Sequence, residues 1–356
     1  MADRPLPAAT RPCSQNGCDD NSCDADTPEI AVIINSYNYA RFLGQAIDSA
    51  LNQRGAIRSE IIVVDDGSTD DTGAVLARYD GVITAIRQAN AGQAAAINAG
   101  VRASRGKVLA FLDADDHWAP DKLAAVARAF RADPELSLVY HRLQPIGLDG
   151  GHRLRPIPRS LCSGDLEPLM RASAGWWPFP MTSAIAVRRA SWDRAGEIPA
   201  VFRISADAWL VGIQPLLGRV AALSQPLGFY RIHDNHWHRA VDDPAMLRRR
   251  IAHWHETVAQ MNRFAESHAA PSDGKSGGTP AFSLEDHLPC KIAEARLRGV
   301  TYPERLALGW QTLRFQGEPN PLRRLRDAWR LIRDLRPEPM VEAMAESAPQ
   351  TSVVRG

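Results

Sequence analysis

The chain has 356 residues, 45% of them hydrophobic, which is enough apolar material for a substantial core in one large domain with an appendage or in two domains. Forty-two Lys and Arg nearly balance 41 Asp and Glu, so there is no global basic field for nucleic acid and a small-molecule ligand is favoured. No apolar stretch approaches the roughly 20 residues that span a bilayer, and the polar N-terminus lacks the apolar core of a signal peptide, so a cytoplasmic protein is expected.

Residues 1–28 read as a disordered polar tail. Its Cys13, Cys18 and Cys23 lack the paired C-x2-C spacing of a zinc knuckle, and Cys162 and Cys290 are isolated, so reduced thiols are expected. The first strand is expected at 30–34. Phe42, Ala46, Ile47, Ala50 and Leu51 then recur at helical spacing, and Ile61 to Val64 supplies a second strand. The alternation continues with a helix capped by Ser68 or Thr69 and running to Arg78, a strand at 82–86, a small-residue helix at 92–103 and a strand at 108–112. Such alternation predicts a doubly wound, mostly parallel sheet with helices on both faces.

Beyond Asp116 the pattern loosens: a helix opens at Pro120, a strand is expected at 136–140, and 147–180, with its Trp176-Trp177-Pro178-Phe179 segment, should be irregular. The Trp and Phe side chains there suit either sugar stacking or core packing. Strand is expected again at 185–187 and 227–230, with a helix at 207–217 between them. The expected organisation is a domain over 29–240, a helical extension over 241–336 with a flexible linker near 271–280, and a disordered tail over 337–356.

Two acidic clusters follow buried-strand runs: Asp65-Asp66-Gly67-Ser68 after Val64, and Asp113-Ala114-Asp115-Asp116 after Leu112. Ligands of open α/β sheets collect beyond the carboxyl ends of the strands, so both clusters are delivered to one ligand-binding edge. Asp113 and Asp115, two apart on an extended segment, project to one side, and hard carboxylate oxygens suit Mg2+ or Mn2+.

Five motifs in order carry a resemblance: Ile34-Asn35-Ser36-Tyr37-Asn38, Val64-Asp65-Asp66-Gly67-Ser68, Asn90-Ala91-Gly92-Gln93 with Ile97-Asn98, Leu112-Asp113-Ala114-Asp115-Asp116, and Ser205-Ala206-Asp207-Ala208-Trp209. Over about 29–239 the chain resembles an inverting family 2 glycosyltransferase with the GT-A fold. The resemblance implies transfer of a sugar, hexosyl in type, from a nucleotide-sugar donor, UDP-linked, to a hydroxyl on a glycan, a lipid-linked glycan or another small molecule. It makes Asp115 the metal ligand, with Asp113 nearer the ribose or a metal-bound water, and His233 of the Tyr-Arg-x-His run a further ligand. Asp66, Asn35 and Tyr37 line the nucleotide site, Gln93 opens a helix whose N-terminus faces the pyrophosphate, and Asp207 is the base.

Two departures stand out: Ile97 precedes Asn98 where many relatives carry Arg, and Ala206 precedes Asp207 where many carry Glu. They motivate another reading, a sugar-nucleotide-binding protein that has lost transfer. A nucleotidyltransferase also uses carboxylates and metal, but usually opens with a Gly-rich basic loop that Asn35-Ser36-Tyr37-Asn38 is not. Over 321–336, Leu322, Leu325, Trp329 and Ile332 fall on one stripe amid six Arg; this reads either as a helix lying on the anionic inner face of a membrane or as one packed on the catalytic domain with a solvated basic face.

Overall fold

The computed structural model describes residues 27–151, 154–233, 243–268 and 282–334. Residues 1–26 of the first tail, the whole 271–280 linker and the tail over 337–356 lie outside the described residues, and with them Cys13, Cys18, Cys23 and Arg336. Strand and helix alternate first as β1 (Ile30–Ser36), α1 (Ala40–Leu51), β2 (Ser59–Asp65), α2 (Thr72–Ala77), β3 (Thr84–Arg87), α3 (Gln93–Ala103) and β4 (Val108–Asp113). There follow β5 (His117–Trp118), α4 (Lys122–Ala132), β6 (Leu136–Ile146), α5 (Glu167–Ala172), β7 (Ile185–Arg188), α6 (Arg189–Ala195), α7 (Asp207–Leu217) and β8 (Arg219–Arg231).

Strands β3, β2, β1 and β4 lie side by side and parallel. The sheet then continues β7-β6-β8-β5, where β7 runs antiparallel to both its neighbours and β5 antiparallel to β8. The doubly wound parallel core is thus the one expected, extended into a mixed sheet of eight strands.

Side chains alternate across this sheet with a period of two. Ile30, Val32 and Ile34 pack with Leu43 and Ile47 of α1 and with Leu123, Val126 and Phe130 of α4. Ala31 and Ile33 face the other way, onto Ile97 and Val101 of α3 and a larger core that takes in Leu210 and Ile213 of α7. At Gly100 a Cβ would lie 2.5 Å from Ile33 Cγ2, so glycine is what lets α3 seat this closely.

Helices α8 (Pro244–His268), α9 (Leu288–Arg298), α10 (Tyr302–Arg314) and α11 (Pro321–Asp334) form the extension. Val258, Met261 and Phe264 of α8 enter the same core as α7. Trp177 is buried in that core with its indole N–H bonded to the Val211 carbonyl, while Trp176 packs edge-on against Phe179, Trp254 and His287. Among the two readings of that segment, packing is the one the fold uses.

On the opposite face, Lys122 is fully buried with its amine 3.3 Å from the Trp118 ring centroid and without a hydrogen-bond partner. Burial holds its pKa well below the ordinary lysine value. A lysine depressed in this way costs the fold stability at pH values below its unfolded pKa, about 10.4. Lys122→Met is expected to raise stability at pH 7 by about 1–2 kcal/mol, with the gain shrinking as the pH approaches that value. Urea unfolding at pH 7 and near pH 10 checks this; equal or lower stability at pH 7 would contradict it.

Candidate active site

The carboxyl ends of β1, β2 and β4 open onto a cavity of about 1010 Å³, lined by Asn35, Tyr37, Asp66, Gln93, Asp113, Asp115 and Asp207 among others. Every site residue expected from the sequence except His233 therefore faces one space. His233 reaches the same cluster indirectly: its Nε2 lies 2.9 Å from Asp115 Oδ2, and its ring packs against Tyr39 and Phe42.

The acidic triplet after β4 is divided by its hydrogen bonds. Asp113 Oδ1 accepts from Asn35 Nδ2 at 3.0 Å and Gln93 Nε2 at 2.9 Å. Asp116 turns inward, accepting from Ser183 Oγ at 2.6 Å and the Arg231 amide at 2.9 Å. It ties the end of β4 to β8 and does not line the cavity. Burial, followed by repulsion from Asp115, raises the Asp113 pKa to about 7, and burial with the same neighbours holds Asp116 well above its usual range. Such a cluster is short of positive charge, which is the condition a divalent cation relieves.

A chain of polar clamps positions Asp207. Gln93 Oε1 accepts from the Ala206 amide at 2.9 Å while its Nε2 holds Asp113, so one side chain spaces the two acidic centres. Ser205 adopts φ 60°, an uncommon left-handed conformation for a non-glycine residue, immediately before Ala206 and Asp207. Asn98 pairs through both amide atoms with Ile198, donating to its carbonyl and accepting from its N–H at 2.9 and 3.0 Å. Burial raises the Asp207 pKa to about 6 against backbone hydrogen bonds from Ala208 and Thr182 that lower it.

One expectation needs revising, and one residue has a further role. The N-terminus of α3 is not open to an anion at its first two amides: Gln93 N donates to Arg203 O and Ala94 N to Phe202 O. Gly92, at φ 96°, makes this close seat, since a Cβ there would lie 2.7 Å from Arg203 Cα. Asp66, in turn, accepts from Gln88 Nε2 and from the amides of Ala91 and Gly92, so it first of all holds the loop leading into α3. Asp65 shapes the turn after β2, accepting from the Ser68 amide beside Arg87.

The cavity also has walls that the motifs did not announce. Tyr39, Thr182, Arg203, Tyr230, Met246 and Arg249 line it, and Arg203 is fixed to Asn90 Oδ1 at 2.9 Å. Tyr230 was within reach of the sequence, inside the Tyr-Arg-x-His run. Arg203 lies in a loop and Arg249 in the Arg248-Arg249-Arg250 run of α8, and no spacing marked either as facing the cavity.

Residues 31–193 match the family model described as Glycosyl transferase family 2. An uncharacterized glycosyltransferase of Nostoc sp. is 38% identical over 215 residues, covering 58% of this chain and 66% of that protein. An uncharacterized protein of Mycobacterium tuberculosis is 29% identical over 224 residues, 60% of this chain and 62% of its own length. A mannosyltransferase of Pyrobaculum calidifontis, solved with GDP-Man and Mn2+, superposes with a TM-score of 0.48 at 23% identity, over 85% of this chain and 74% of that one. Residues 31–193 form a glycosyltransferase family 2 domain.

Asn98→Ala is expected to cost about 2 kcal/mol, because it leaves the Ile198 N–H and C=O without their partner. Urea unfolding measures the loss, and hydrogen exchange at the Ile198 amide should quicken; unchanged exchange there would rule out the clamp.

Proposed function

We propose that this protein is an inverting, metal-dependent glycosyltransferase that moves a hexosyl group from a nucleoside-diphosphate sugar, UDP-linked, to an acceptor hydroxyl. The observation that carries the reading is the meeting of the Asp113–Asp115 pair and Asp207 in one cavity, alongside the family match. Asp66 and Tyr37 are then the nucleotide-facing groups, with Asn35 setting the orientation of Asp113.

The donor set fits a hard divalent cation. Asp115 Oδ2 and His233 Nε2, 2.9 Å apart, match the edge of an octahedral shell, roughly 3 Å for bonds of about 2.1 Å. Asp115, Asp113 and His233 would hold Mn2+ or Mg2+, whose contribution is to neutralise charge on the departing diphosphate. Asp207 takes the proton of the acceptor hydroxyl. That oxygen forms the new bond to the anomeric carbon as the bond to phosphate oxygen breaks, and the electron pair leaves with the nucleoside diphosphate. Attack from the face opposite the phosphate inverts the centre. A base acts only when ionised, so the rate should rise with pH through about 6, the Asp207 value.

Release of nucleoside diphosphate from a panel of sugar nucleotides with Mn2+ tests the activity, and release of pyrophosphate would instead mark a nucleotidyltransferase. Asp115→Ala should abolish metal-dependent UDP binding by calorimetric titration, whereas Asp207→Asn should keep donor affinity within a few-fold and lose transfer roughly a thousandfold. Metal-dependent binding without turnover in the unaltered chain would favour the non-catalytic reading.

The extension supports a lipid-proximal acceptor. No helix among the described residues is long and apolar enough to cross a membrane. Helix α11 packs on α10 through Ala328, Leu331 and Ile332, with Arg305 of α10 bonded to the Ile332 carbonyl, so the two run antiparallel. Leu322 at 75%, Trp329 at 58% and Trp310 at 55% exposure face outward with Leu325, Leu306 and Tyr302. Each stripe lies about a third of a turn from the packed face in the same rotational sense, which in an antiparallel pair brings both to one side. Arg333 covers the Trp329 ring and Arg314 the Trp310 ring, supplying the charge an anionic surface would attract. Co-sedimentation with phosphatidylglycerol vesicles at low salt should retain the protein, and the Trp310→Ala, Trp329→Ala double variant should bind at least roughly fivefold more weakly. A protein that stays in the supernatant would point to a soluble acceptor.

A further inference from the structure

Away from the carboxylate cavity, the packing of α8 on α9 gathers three side chains of a different chemistry. His255 comes from α8, and Cys290 and Glu294 sit one turn apart on α9. Their ligand atoms all lie within 4.8 Å of one another, with His255 Nε2 3.6 Å from Glu294 Oε1 and Cys290 Sγ 3.8 Å from the same oxygen. Tetrahedral zinc bound by sulfur, imidazole and carboxylate at about 2.0–2.3 Å has ligand edges of roughly 3.3–3.8 Å. The helices already hold two edges near that size.

The surroundings build the site from below and leave it open above. Cys290 is buried, and its backbone N–H donates to His287 Nδ1 at 3.0 Å. His287 in turn packs against Trp254 and Trp176, which fixes the first turn of α9 against α8. His255 and Glu294 are half-exposed, so an ion can enter from solvent and a water can complete the fourth position.

We propose that His255, Cys290 and Glu294 form a zinc site, separate from the hard-oxygen site at Asp113 and Asp115, that fastens α9 to α8. The donors select the ion: thiolate and imidazole favour zinc over magnesium or manganese, and the reverse holds for the paired aspartates. On binding, the Cys290 thiol gives its proton to solvent as the sulfur–zinc bond forms. Because Met246 and Arg249 of α8 line the large cavity, the clip would steady one of its walls.

The test uses the full chain carrying Cys13→Ser, Cys18→Ser and Cys23→Ser, so that tail thiols do not contribute. Zn2+ titrated against a chromophoric chelator should bind at one per chain and raise the melting temperature. His255→Ala, a change at a half-exposed position that should not disturb folding, is expected to weaken zinc roughly tenfold or more and to remove the thermal shift, as are Cys290→Ser and Glu294→Gln. Co2+ should give a thiolate-to-cobalt charge-transfer band that Cys290→Ser abolishes and Asp115→Ala retains. Zinc affinity unchanged in His255→Ala, or cobalt binding without a thiolate band, would overturn the proposal.

Discussion

Like charges gathered at one sheet edge are the constraint on which the rest of this structure depends. Asp113, Asp115 and Asp116 leave β4 within four residues, and Asp207 approaches from α7, so the fold must hold acidic groups together that repel one another. It does so by giving each a different set of partners. Asp116 is withdrawn onto Ser183 and Arg231, Asp115 onto His233, and Asp113 onto two amide side chains. What remains facing the cavity is a carboxylate pair whose most favourable neighbour is a cation.

The second half of the domain answers to that first half through α3. Gln93, Asn98 and the first two amides of the helix all reach into 198–206, so the segment that presents Asp207 is read out residue by residue against the helix. Spacing between the Asp113–Asp115 pair and Asp207 is therefore a property of one helix surface, not of a loop free to choose its own position. The extension adds a third party, since α8 contributes core residues beneath α7 and cavity residues at its own start.

Much of this was legible because β1, β2 and β4 are continuous apolar runs, the last two ending in acids, and a buried parallel strand has few other appearances. Legibility failed where long-range pairing decides. Strand β7 runs antiparallel through a short apolar stretch that carries no sign of direction, and β8 begins at Arg219, well before the expected 227, because its first residues pair with β6 despite Pro226. Helix α2 starts at Thr72 because Ser68 and Thr69 are engaged with Asn38 across the adjacent loop, leaving Asp70 to bond the Thr72 amide. The α11 stripe was read correctly as apolar, yet the helix packs through Ala328 and Leu331 and leaves Leu322, Leu325 and Trp329 outside. A wheel shows which residues share a face but not which face meets a neighbour.

The two departures from the family pattern acquire a meaning from their burial. Ile97 and Ala206 are both fully enclosed and belong to the same apolar cluster. Restoring Arg at the first alone, or Glu at the second alone, would place an unpaired charge in that cluster at a cost of several kcal/mol, of order the whole margin of a folded domain. The fold therefore vetoes a charged side chain at either position before any question of activity arises: what this chain tolerates beside α3 and at the entry to α7 is filtered by the packing of one shared apolar layer.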